Sequence, residues 1–81
     1  MIIINTGKSL IRVDEVVISK SGPYFLNIMN PNKCNSSGEF LVLEEMKFID
    51  EEVRDEVFSM LYEELIKKHH IIEIVQPWDP V

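Results

Sequence analysis

Four kinds of residue group in this 81-residue chain have types and spacings that could support chemistry, and each also has a purely structural explanation. Thr6-Gly7-Lys8-Ser9 reads like the end of a phosphate-binding loop, where backbone amides and a lysine hold phosphate oxygens. The full pattern needs a further glycine where this chain has Ile2, and then a helix; a strand-like run follows instead. A hairpin turn accounts for the same four residues. His69-His70 invites a metal, but neighbouring side chains point about 100° apart on a helix and to opposite faces on a strand. Sharing one ion would take a second subunit, so the expectation is no metal and a pH-sensitive end to a helix. Adjacent carboxylates occur at Asp14-Glu15, Glu44-Glu45 and Asp50-Glu51-Glu52. Acid–base catalysis requires carboxylates in contrasting environments around a common pocket, and solvated turns or a helix start explain these three. Cys34, the single cysteine, cannot form an internal disulfide and has only Lys33 nearby to activate it.

With two histidines side by side, no serine–histidine–acid set can be assembled, and a chain this short has little wall for a water-excluding cleft. The sequence therefore points away from an enzyme and implies no cofactor. Hydrophobic residues at 46% and charged residues at 27% describe a globular chain of one domain, residues 1–81. No apolar run is long enough to span a bilayer, and Met1-Ile2-Ile3-Ile4 lacks the basic region of a signal peptide. A cytoplasmic protein is the expectation, in keeping with the lone cysteine. The Asn35-Ser36-Ser37 glycosylation pattern has no meaning there.

Charge is unevenly placed within the net −6. Residues 1–38 carry four basic against two acidic side chains, and residues 39–81 carry four basic against twelve acidic ones. The acidity of the second part argues against direct nucleic-acid binding and in favour of a partner with a basic surface.

The elements that must position these residues form an α+β pattern: an antiparallel β-meander of four to six short strands packed against one long C-terminal helix. Strands are expected within residues 1–46, broken by turns at 5–8 and 20–23 and by a polar loop at 30–38. A helix over about residues 50–68 follows, with Asp50 as N-cap and Lys67-Lys68-His69-His70 at its end. Residues 71–75 read as a short strand, within the sheet or across to a twin subunit. The tail 76–81, with Pro77 and Pro80, is expected to continue neither element because proline lacks the amide donor.

Apolar residues cover about 240° of the helix circumference, whereas an ordinary surface helix needs a stripe of a little over about 100°. The surplus falls on Phe58, Tyr62 and Ile66, beside an acidic stripe that includes Asp55 and Glu63. Trp78 either joins that surface or folds back over it. These six residues are the candidate contact set of a small interaction module, in the style of virus- or plasmid-encoded inhibitors of a larger host protein. A homo-oligomer fits the same surplus. Two other readings compete: a homo-oligomeric binder of a small anionic, nucleotide-like ligand using Lys8, Arg12 and Lys20, and an acidic mimic of DNA.

Overall fold

The computed structural model describes residues 1–81. β1 (Ile2–Asn5) and β2 (Leu10–Val13) form an antiparallel hairpin. Gly7 turns it at φ 89°, a conformation open to glycine and strained for other residues. β3 (Val17–Ser21), β4 (Phe25–Cys34) and β5 (Phe40–Lys47) follow as an antiparallel run. The helix α1 (Glu51–Ile66) comes next, then β6 (Ile71–Glu73) and β7 (Asp79–Pro80). The α+β class, with antiparallel sheets against one helix, is the one the sequence predicts.

The connectivity is not a single meander. The strands divide into a sheet ordered β2-β1-β6 and a second ordered β3-β4-β5-β7. β6 runs parallel to β1, with Ile4 beside Ile72, so the last apolar strand is inserted next to the first. Local patterning carries no information about such a non-local pairing. The expected 30–38 loop is shorter than its composition implies. β4 continues through Pro31 to Cys34, with register irregularities at Ile28/Met29 and Asn30/Cys34 that absorb the proline. β3 likewise keeps Lys20 and Ser21, which leaves Gly22-Pro23-Tyr24 as the turn. The tail also departs from expectation, because Asp79 and Pro80 pair with Lys47 and Met46 on the free edge of β5. At a sheet edge the missing proline donor is tolerated.

Period-two alternation puts Ile4 and Ile11 of the first sheet, and Leu26 and Ile28 of the second, on inward faces. They meet Met46, Phe48, Val57, Leu61, Ile72, Ile74 and Trp78 in one core. Asp50 caps the helix, its Oδ1 accepting the Val53 amide at 2.8 Å, and Glu51 and Glu52 complement the dipole. The helix stops at Ile66, immediately before the basic run: Lys67 is the C-cap and Lys68 takes a left-handed φ of 58°. No basic residue therefore lies in the last turn, and Glu64 pairs with His69 rather than with Lys68.

Candidate functional site

Two regions of the surface carry functional side chains. The first is the outer flank of α1. Positions 54, 57 and 61 face inward, with Val57 and Leu61 in the core and Arg54 buried beside them. Arg54 extends back to the β3–β4 turn, where its Nη1 donates to the Gly22 carbonyl at 2.8 Å and the Phe25 carbonyl at 3.0 Å. Its Nε donates to Asp55 Oδ1 at 2.7 Å. Asp55 also pairs with Lys20 at 3.1 Å, and both cations hold its carboxyl below the ordinary carboxylate range, Arg54 foremost.

Lys20 in turn stands 4.8 Å from the ring centre of Phe58, and Phe58 stacks on Tyr62 with centroids 6.5 Å apart and an interplanar angle of 13°. Phe58 is half-buried, whereas Tyr62 and Ile66 are 54% and 61% exposed. Glu63 is exposed next to them, and Glu51, Glu52, Asp55, Glu56 and Ser59 line a shallow acidic concavity on the neighbouring face. The structure thus brings five of the six candidate contact residues onto one helix.

Trp78, the sixth, lies elsewhere. Its indole Nε1 donates to the Thr6 carbonyl at 2.6 Å, Lys8 Nζ sits 5.5 Å from its ring centre, and only 5% of it is exposed. It is anchored on the β1–β2 turn and leaves the Tyr62–Ile66 strip open.

The second region is an open cleft of about 760 Å³ bounded by the β1–β2 turn, the β5–α1 connection and residues 74–79. Its lining includes Lys8, Lys47, Tyr24, Gln76 and Asp79 beside the apolar Ile49, Val75 and Trp78. A cavity of this size was not expected of so short a chain. It exists because the last segment crosses from β6 to the edge of β5 and so builds a third wall. The three basic residues that the sequence offers to an anion, Lys8, Arg12 and Lys20, do not converge. Lys8 lines the cleft, Lys20 is committed to Asp55 and Phe58, and Arg12 is exposed on β2 opposite Ile3. Sequence reasoning missed Lys47 and Tyr24, whose place depends on the β5–β7 and β3–β4 geometry; no spacing rule links them to Lys8.

The turn residues Thr6–Ser9 are not a phosphate cradle. The amides of Lys8 and Ser9 point at Thr6 Oγ1, and that of Gly7 at Asn5 Oδ1. No group of histidine, cysteine and carboxylate residues is placed to hold a metal ion, and no helix is long and apolar enough to cross a membrane. Fold and surface together define a small α+β protein with an acidic, partly aromatic helix face and a separate cleft lined by two lysines and one aspartate. Comparison with protein-family models, curated proteins and solved structures finds no match.

Proposed function

We propose that this chain is a small non-enzymatic interaction protein, acting in the cytoplasm, whose helix α1 binds and so blocks a larger protein with a basic surface. The observation that carries the reading is the open strip of Tyr62 and Ile66, prolonged by Phe58. Phe58 is held against Lys20, and the Lys20–Asp55 pair ties the strip to the sheet. Such a pre-ordered aromatic centre loses little side-chain freedom on binding. Exposed carboxylates next to it supply an anionic rim, and a basic partner would complement that rim and approach faster for it.

A second copy of the chain suits the strip less well. A two-fold contact with the two helices antiparallel would set the acidic stripe of one protomer against its own image.

Tyr62→Ser combined with Ile66→Ser leaves the core intact, because both residues are mainly exposed. The double variant is expected to fold normally and to lose about 2 kcal/mol or more of binding, roughly 30-fold in affinity. The check is affinity capture from the native cytosol with wild type and variant side by side, the retained protein identified and its affinity measured. Retention of the same protein by both forms would overturn the proposal. So would a dimeric mass in light scattering that the double variant reduces to the monomer.

A further inference from the structure

We propose that the cleft between the β1–β2 turn and residues 74–79 binds a nucleotide. It is a different site from the helix flank and rests on different side chains. Lys8 and Lys47 both line it, and neither is tied up in an ion pair: the pairs in this chain engage Lys20, Arg54 and His69. Asp79 stands opposite Lys47 in the β5–β7 ladder, and their side chains form no ion pair. Two ammonium groups free of ion pairs, with Lys8 resting over the Trp78 ring, share this concave surface with one carboxylate, Asp79. In a chain of net charge −6 that is a local positive balance, and it suits a phosphate group. Because the turn amides are already satisfied by Asn5 and Thr6, the phosphate would be held by the lysine side chains alone.

The rest of the cleft fits the other parts of a nucleotide. Ile49 and Val75 are 85% and 82% exposed and Tyr24 is 42% exposed, so their apolar surfaces stand open to a flat base. The carboxylate of Asp79 and the amide of Gln76 offer acceptors for sugar hydroxyls or an exocyclic amine. The volume of about 760 Å³ falls within the roughly 300–1,000 Å³ typical of small-molecule sites. The walls are fixed before any ligand arrives. The Phe48 amide donates to the Tyr24 carbonyl at 2.9 Å, the Ile74 amide to the Asn5 carbonyl at 2.8 Å, and Trp78 is pinned to Thr6.

Trp78 is the only tryptophan and lines the cleft, so its fluorescence responds to a ligand bound there. The experiment titrates the protein at low salt with the 5′-monophosphates of adenosine, guanosine, cytidine and uridine, and in parallel with the nucleosides and with inorganic phosphate. At least one nucleotide is expected to change the emission saturably, with nucleoside and phosphate each binding about tenfold or more weakly. Lys47→Gln, an exposed substitution outside the core, is expected to weaken that nucleotide by about tenfold, and Lys8→Gln similarly. Tyr62→Ser should leave the titration unchanged, which separates this site from the helix flank. Absence of saturable binding by every nucleotide at millimolar concentration overturns the proposal. Binding indifferent to Lys47→Gln, or phosphate binding as tightly as the nucleotide, does so too.

Discussion

Arg54 decides how the helix is fastened. A guanidinium only 3% exposed would be costly on its own, but its donors reach two carbonyls of the β3–β4 turn and the Asp55 carboxylate. Arg54→Ala takes its donors from the two turn carbonyls and leaves Asp55 with Lys20 alone, and we expect a loss of about 3 kcal/mol by denaturant unfolding. Arg54→Lys should recover little of it, since the three donors of an ammonium radiate from one atom and cannot reach acceptors that the guanidinium serves separately from Nε and Nη1. Asp55 gives the pair a pH signature. Its carboxyl in the folded chain titrates below the ordinary 3.8, so its contribution is complete above the unfolded-state value and is lost as the pH falls through the lower folded-state value. Asp55→Asn should therefore flatten the acid limb of the stability curve below about pH 4 and leave its slope near neutrality unchanged. None of this was legible in the sequence. Position 54 shares a helix face with Val57 and Leu61, yet a charge at that spacing reads as surface, because burial depends on carbonyls that the β3–β4 turn supplies from elsewhere.

At the scale of elements, the sequence was most informative where the determinants are local. Asp50, the acidic first turn and the 3.6-residue period placed the helix start correctly, and alternation placed most of β1 to β5. The partner of β6 was not legible, since three residues of β-branched type pair equally well with any open edge. Its parallel register makes a clear test. Ile72 points into the core and is 2% exposed, whereas its neighbour Ile71 is 69% exposed. Ile72→Ala is expected to cost about 3 kcal/mol and Ile71→Ala no more than about 0.5 kcal/mol in chemical unfolding. A shift of register by one residue would exchange the two values. The same non-locality hid the cleft: Lys8, Lys47 and Val75 are brought together only by the β1–β6 and β5–β7 pairings.

Across the whole molecule, the aromatic strip and the cleft are carried by different parts of one core. The strip belongs to α1 and its ties to β3 and β4; the cleft belongs to the β1–β2 turn and the closing segment. Substitutions on one surface therefore share no direct partner with those on the other, and their effects should add. The extents of 32 × 28 × 21 Å and radius of gyration of 12.1 Å match the about 12 Å of a compact domain this long, so neither region is an appendage. The parallel seating of β6 beside β1 also sets an order of events in synthesis. Ile3 and Ile4 leave the ribosome well before their neighbours Ile71 and Ile72, which lie 68 residues further along the chain. One edge of the β1–β2 hairpin stays unsatisfied until β6 has been translated, and loop closure over that distance must precede any gain from the pairing. Until then the nascent chain is open to strand addition by other polypeptides, and its own β6 is what finally closes that edge.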